Sequence, residues 1–403
     1  MQRQMLSKKF SIRALIFLVS TLASIAEFPV QGNYLQESYP KCVLEDADLD
    51  TAQLIAKYNY PVETHYVTTP DEYILRLHRI PKPGAPPVFL MHGMMDSSAT
   101  WILMGPQKAL GYYLWDNGYD VWMGNARGNR YSSNHTKLDA EKNAEFWLFS
   151  WHEIGFYDLP ASIDYVLQQT GFKKTGYFGH SQGTTSFWVM CSMHPEYNEK
   201  ITMMHALAPV AFMKHMRTPL LSYGRTAAKM TAGGVRFLPR TDVLWKTCFT
   251  SKLTETTCLE IYYQLVGKDV EQTNATMLPI ILGHVPAGCS LKQLTHYIQL
   301  VANDRFCQYD YGPVENMKRY QQSSPPDYPL AKITARVGLF YTYNDNLSSE
   351  EDVKRLAALL PNVVEDCLYP HVHWNHMSMT WGIDARELAH KKMLEIMKKY
   401  SYE

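Results

Sequence analysis

The sequence predicts an α/β protein whose mainly parallel central sheet is covered by helices on both faces and interrupted by a helical insertion. Three observations carry this reading. Short apolar stretches such as Val88-Phe89-Leu90-Met91 and Met203–Leu207 alternate with helical patterns, as in parallel sheets buried on both faces. The alternation lapses between about Pro209 and Tyr328, where the sequence is helical and rich in Met, aromatic and Pro residues, and resumes at Val337–Thr342. Between a strand pattern and a helical one stands Gly179-His180-Ser181-Gln182-Gly183. This G-x-S-x-G turn sets a serine hydroxyl above the sheet.

The elements follow in chain order. Residues 1–26 read as a signal peptide: a basic start, the apolar run Ala14–Leu22, and small residues Ser24 and Ala26 before Glu27. The run is shorter than the ~20 apolar residues of a membrane span, so secretion is preferred to anchoring, and no later stretch suits a transmembrane span. Asp48–Lys57 reads as a short helix. Glu63–Thr69 and Tyr73–Ile80 alternate with period two around Pro70-Asp71, a hairpin pattern. Val88–Met91 and Asp120–Met123 are buried strands, with a helix over Gln107–Asn117 between them. Asp158-Leu159-Pro160 is expected to cap and open a helix that runs to about Thr170. Thr175–Phe178 is the strand before the G-x-S-x-G turn, and Thr184–Met193 the helix after it. After the insertion come a strand at Val337–Thr342, a helix at Glu350–Leu360, a strand at Val364–Leu368 and a closing amphipathic helix from Asp384 to Tyr400. The expected division is 1–26 signal peptide, 27–208 first part of the sheet domain, 209–328 insertion and 329–403 second part. Trp115, Trp122, Trp147 and Trp151 are assigned to the core.

Composition excludes a nucleic-acid partner. Lys+Arg and Asp+Glu both total 39. Removing Arg3, Lys8, Lys9 and Arg13 with the signal peptide leaves 35 basic against 39 acidic residues, a net −4. Such a chain lacks the basic face that nucleic acids require. Seven cysteines remain, so at least one is unpaired. Cys248 and Cys258 are close in sequence and form the best disulfide candidate; Cys191 reads as a buried thiol. Asn134, Asn274 and Asn346 begin glycosylation sequons, and Asn134 and Asn274 are retained as candidates.

Chemistry centres on Ser181. A serine hydroxyl needs a base within hydrogen-bond reach, and the base needs an orienting carboxylate. In this architecture they follow in the order Ser, acid, His. Asp345 lies just past the strand Val337–Thr342, at a strand end where catalytic groups collect. His371, His373 and His376 all occupy the loop after the last strand. Spacing alone does not choose among them. Their H-x-H and H-x-x-H spacings also suit zinc, although no nearby cysteine or carboxylate completes such a site. His152-Glu153 is not followed by the second histidine of a zinc motif. Backbone donors for an oxyanion come from the residue after the nucleophile, Gln182, and from the loop His92-Gly93-Met94, where Met94 N–H is the candidate.

The sequence resembles the acid lipase family of secreted α/β-hydrolases. The resemblance rests on Tyr60-Pro61-Val62-Glu63, Asp71-Glu72-Tyr73-Ile74-Leu75, His92-Gly93, Gly124-Asn125-Ala126-Arg127-Gly128-Asn129, Tyr157-Asp158-Leu159-Pro160-Ala161, the Ser181 turn, Asn344-Asp345 and Asn375-His376. It implies an α/β-hydrolase fold with an inserted helical cap, the triad Ser181, Asp345 and His376, oxyanion donors Met94 and Gln182, and a cap disulfide Cys248–Cys258. It also implies no cofactor and no metal, and a neutral lipid substrate met at a lipid–water interface. The destination is then secretion or, alternatively, the lysosome. The family's common Leu-Asp-Phe after the catalytic histidine is here Met377-Ser378-Met379, which leaves the hydrogen bonding around His376 open. A carboxylesterase for small soluble esters and a non-catalytic lipid-binding protein of the same fold are the alternatives. Pro209–Arg240 mixes Phe212, Met213, Met216, Leu220, Leu221, Phe237 and Leu238 with basic residues. It is expected to flank the substrate entrance, with Gly233-Gly234 as a hinge.

Overall fold

The computed structural model describes residues 34–218 and 233–400. The expected signal peptide, and Leu220, Leu221, Arg225 and Lys229 of the expected entrance segment, lie outside the described residues. The strands are β1 (Glu63–Thr68), β2 (Tyr73–Ile80), β3 (Pro87–Met91), β4 (Asp120–Met123), β5 (Asn134–His135), β6 (Thr175–His180), β7 (Ile201–Leu207), β8 (Arg236–Phe237), β9 (Cys289–Ser290), β10 (Val337–Tyr341) and β11 (Val363–Leu368). Nine of them form one sheet in the order β1-β2-β4-β3-β6-β7-β10-β11, with β5 beside β2. From β4 to β11 every neighbouring pair is parallel, whereas β1, β2 and β4 pair antiparallel. Every residue of β3, β6 and β10 is buried, because helices cover both faces of a parallel sheet. Edge strand β1 keeps an alternating, half-wet pattern.

Between β7 and β10 the chain is mostly helical, with helices at Lys252–Val266, Leu278–His284, Leu291–Asn303 and Pro313–Tyr320. Strands β8 and β9 form a separate two-stranded ribbon there. Two-residue strands are too short to leave a periodic signal. Cys248 and Cys258 are bonded, with Cα atoms 5.8 Å apart. Cys191, Cys289, Cys307 and Cys367 are buried free thiols, and Cys42 is exposed. Trp122, Trp147 and Trp151 are core residues; Trp115 is half-buried. No helix among the described residues is long and apolar enough to cross a membrane.

Three sequence expectations are corrected. The helix expected over Asp48–Lys57 is two helices, Lys41–Asp48 and Thr51–Lys57. Asp50 separates them. Its carboxylate accepts from Gln53 N while Gln53 Oε1 accepts from Asp50 N, both at 2.8 Å, a capping box that starts the second helix. Asp158 is not a cap. It sits within continuous helix, in a π-helical turn over Ile154–Asp158 that leads into Leu159–Thr170. The capping box of this helical run is upstream, at Ser150 and Glu153. The Asp158 carboxylate instead accepts from Arg127 N at 3.0 Å and Arg127 Nε at 2.7 Å. Arg127 also donates to Asp71 at 2.8 Å and lies over the Tyr73 ring. This buried cluster ties the hairpin turn, the loop after β4 and the helix before β6 into one unit.

Phe212 and Met213 also differ from expectation: both are core residues. The segment that holds them is pinned to the helix after β6 and to the loop after β10, with Val210 N donating to Thr184 Oγ1 and Ser348 Oγ donating to Pro209 O.

Asp158→Ala removes one carboxylate from a buried guanidinium and leaves a buried backbone N–H unpaired. The expected loss is about 3–5 kcal/mol, read from urea unfolding of variant and wild type. A second buried acid acts on pH dependence. Asp96, in the loop after β3, is 4% exposed, and its carboxylate accepts from Ser97 N at 2.7 Å. Burial pushes its pKa up to about 7. The folded state therefore keeps this proton between about pH 4 and about pH 7, where the unfolded chain has released it. The resulting stability is fully present below about pH 4 and is lost as pH rises through about 7. Asp96→Asn is expected to remove that loss, so the Tm difference, variant minus wild type, grows from about pH 4 to about pH 8. A difference independent of pH would show that Asp96 does not titrate in this window.

Candidate active site

The site forms at the carboxyl ends of β3, β6 and β10 and in the loop after β11. Ser181 follows β6 with φ 52° and ψ −116°, a left-handed backbone that costs roughly 1–3 kcal/mol for a non-glycine residue. Its surroundings enforce that geometry. Ser181 N donates to Leu207 O at 3.0 Å, and Thr184 N donates to Ser181 O at 2.9 Å. The following helix, Gln182–Met193, starts so close to β3 that a Cβ on Gly183 would lie 2.2 Å from Met91 O. Between residues 175 and 192 every residue except Ser181 is buried. The turn therefore presents one hydroxyl-bearing side chain at the sheet edge.

Of the three histidines after β11, the structure joins His376 to Asp345. His376 Nδ1 and Asp345 Oδ2 are 2.8 Å apart, and both residues are buried. The other carboxylate oxygen, Oδ1, accepts from Leu347 N at 2.7 Å and Ser348 N at 2.8 Å. A carboxylate can only accept here, so Nδ1 carries the proton and Nε2 is left as the basic nitrogen. His371 stacks on Trp374, and His373 is exposed. The His376 ring lies 4.9 Å from that of His180, the residue before Ser181, and His180 Nε2 lies 2.9 Å from His376 O. Only the histidine can donate to a carbonyl. Burial lowers the His180 pKa to about 3, so it holds the loop as a neutral ring.

The loop after β3 is shaped by His92. Its Nδ1 donates to Gly93 O at 2.7 Å, and its Nε2 accepts from Ala126 N and Asn129 Nδ2. Burial lowers its pKa to about 4, consistent with the neutral ring those bonds require. A Cβ on Gly93 would come within 3.2 Å of Ser181 Cβ, so this loop runs against the nucleophile turn with Met94 next in the chain. As the first residue of its helix, Gln182 has an N–H with no intrahelical acceptor. Two contacts hold these elements from the inserted segment: Gln182 Nε2 donates to Gln293 Oε1 at 2.7 Å, and Ala287 N donates to Met95 O at 2.6 Å. No motif marks Gln293 or Ala287, and the sequence reading missed both. The arrangement can generate an alkoxide at Ser181, take up its proton and meet a developing oxyanion with backbone N–H groups.

The family described as alpha/beta hydrolase fold matches residues 86–379, and the partial alpha/beta-hydrolase lipase region matches residues 51–105. Lipase 1 of Drosophila melanogaster is 45% identical over 369 residues, covering 89% of this chain and 82% of its own. Gastric triacylglycerol lipase of Bos taurus is 34% identical over 367 residues, covering 87% of this chain and 92% of its own. Among solved structures, a carboxylesterase from Bacillus subtilis superposes with a TM-score of 0.50 at 12% identity, covering 90% of this chain and 97% of that one; it bears on the fold alone. With these matches and this architecture, the chain belongs to the acid lipase family of α/β-hydrolases, carboxylic ester hydrolases of the serine type.

Proposed function

We propose that this protein is a lipase that hydrolyses ester bonds of neutral lipids, triacylglycerols foremost, through an acyl-enzyme on Ser181. The observation that carries the reading is the buried 2.8 Å bond between Asp345 and His376 beside the strained Ser181 turn. In this mechanism Ser181 Oγ attacks the ester carbonyl carbon as its proton passes to His376 Nε2. Asp345 keeps the imidazole in the required tautomer and stabilises the imidazolium. The N–H groups of Met94 and Gln182 stabilise the oxyanion, each contributing roughly 10²–10³ in rate. The C–O bond to the glycerol oxygen then breaks, and that oxygen takes the proton from His376. Water, activated by the same histidine, releases the fatty acid and restores Ser181. No cofactor enters any step.

The lipid assignment draws on the relatives named above and on the ribbon β8–β9. Val235 and Leu238 are 47% and 40% exposed, and Phe237 is half-buried. The ribbon continues from Ala287, which bonds the loop carrying Met94. An apolar edge beside Arg236 and next to the site suits contact with a lipid–water surface. Residues 209–328 then serve as the cap over the site. The signal-peptide reading of residues 1–26 and the family resemblance favour secretion, with the lysosome as the alternative. Asn134 is exposed and open to glycosylation. Asn274 accepts from Thr276 N and leaves its amide nitrogen for a glycan.

Two measurements test this. Ser181→Ala is expected to lose about 10⁴-fold or more in ester hydrolysis and all covalent labelling by a fluorophosphonate, with an unchanged melting temperature. Labelling that persists at another serine would overturn the assignment. The double variant Phe237→Ser with Leu238→Ser is expected to cut hydrolysis of emulsified long-chain triacylglycerol roughly tenfold or more, since such side chains are worth roughly 3 kcal/mol or more together when buried. Hydrolysis of a short soluble ester should change little. An equal fall on both substrates with a lower melting temperature would make the ribbon a purely structural element.

A further inference from the structure

Four consecutive residues at the end of the helix Lys252–Val266, from Val266 to Asp269, bridge the loop of Asp345 and the loop of His376. Val266 O accepts from His376 N at 3.1 Å and from Asn346 N at 3.5 Å. Gly267 O accepts from Asn375 Nδ2 at 2.9 Å. Lys268 O accepts from Asn344 Nδ2 at 2.8 Å, and the same amide nitrogen lies 2.9 Å from His373 O. Asp269 Oδ2 accepts from Ser378 Oγ at 2.7 Å. The bridging segment thus touches Asn344 and Asn346, on either side of Asp345, and Asn375 and Ser378, one residue before and two residues after His376. It also runs too close for any side chain at its centre. Gly267 has φ +104°, and a Cβ there would lie 1.9 Å from Asn344 O and 3.1 Å from Asn375 Cβ.

The last of the four adds a charge. Asp269 is 1% exposed, and its partner Ser378 is buried. Ser378 Oγ also accepts from Asn375 N at 2.8 Å, and Asn375 Oδ1 accepts from Met377 N at 2.9 Å. These bonds enclose His376 between two backbone positions that cannot move independently. They also answer the open point left by Met377-Ser378-Met379: Ser378 carries no charge itself, and a carboxylate 109 residues earlier reaches it from the inserted segment. Backbone N–H and side-chain donors of both loops thus converge on acceptors of a segment that belongs to neither loop.

We propose that Val266–Asp269 is a clasp that holds Asp345 and His376 in register, and that Asp269 is a positioning residue for His376, acting through Ser378 and Asn375. This rests on the Ser181–His376–Asp345 reading above. Its physical content is that rigidly placed catalytic groups react faster, and that displacement of about 1 Å can cost about 10²-fold. The clasp also makes the inserted segment part of the catalytic geometry as well as a cover over the substrate.

The test uses the full-length mature protein, with Asp269→Ala, the isosteric Asp269→Asn and the exchange Asp269→Ser with Ser378→Asp. A short soluble ester reports kcat and KM, a fluorophosphonate reports the rate of labelling at Ser181, and thermal melting reports the fold. Asp269→Ala is expected to lower kcat and the labelling rate about tenfold to a hundredfold, with KM within about twofold of wild type. The exchange variant, which returns a carboxylate to the same contact from the other side, is expected to recover most of that loss. Should Asp269→Ala not fold, Asp269→Asn carries the same expectation with a smaller fall. Wild-type kcat in a folded Asp269 variant, or an exchange variant as slow as Asp269→Ala, overturns the clasp. The two readings separate at the labelling step. If the wild type is not labelled at Ser181, the triad assignment fails; if it is labelled and the Asp269 variants are labelled equally fast, only the clasp fails.

Discussion

The site depends on how closely one helix approaches one strand. The Gln182–Met193 helix can start against β3 only because position 183 has no side chain: a methyl there would overlap the Met91 carbonyl. That approach forces the chain through a left-handed turn at Ser181, lifting the hydroxyl clear of an otherwise buried run. It also places Gln182 N–H at a helix start, where unsatisfied donors and the helix dipole favour negative charge. The raised Ser181 hydroxyl and the helix-start N–H of Gln182 are therefore products of one steric fact. Asp345 and His376 are brought to it by β10 and by the loop after β11, both elements of the same parallel sheet.

Much of this was legible in the sequence because local pattern encodes local structure. The fully apolar strands, the antiparallel hairpin around Pro70-Asp71 and the G-x-S-x-G turn each announce themselves within a few residues. The ordering Ser181, Asp345, His376 follows from the architecture once the turn is seen. The choice of His376 over His371 and His373 needed either the family resemblance or the coordinates, since all three lie within six residues of one another. Only the fold shows which ring meets the carboxylate.

What the sequence hid is contact between distant polar groups. Asp158 before Leu159-Pro160 has every local attribute of a helix cap, yet its carboxylate is taken by Arg127. Helix then continues back through it to Ser150, because a cap needs a non-helical residue and Asp158 is helical. Phe212 and Met213 look like entrance residues by composition but are held in the core by the bonds of Pro209 and Val210. Gln293, Ala287 and Asp269 carry no motif at all. Each matters through one partner more than a hundred residues away, a kind of information that composition and periodicity do not contain.

The distribution of thiols has a consequence for handling the protein under oxidising conditions. Disulfide exchange requires a thiolate with access to the bond it attacks. Burial pushes the Cys289 thiol up to about 12 and Cys307 up to about 11, and raises Cys191 and Cys367 as well. Four of the five free cysteines are thus protonated and enclosed, so none of those four competes for the Cys248–Cys258 pairing in the folded molecule. Of an odd cysteine count that could scramble an open chain, folding leaves one thiol exposed. Alkylating reagents and external oxidants are left with Cys42, on the helix Lys41–Asp48, as the accessible thiol.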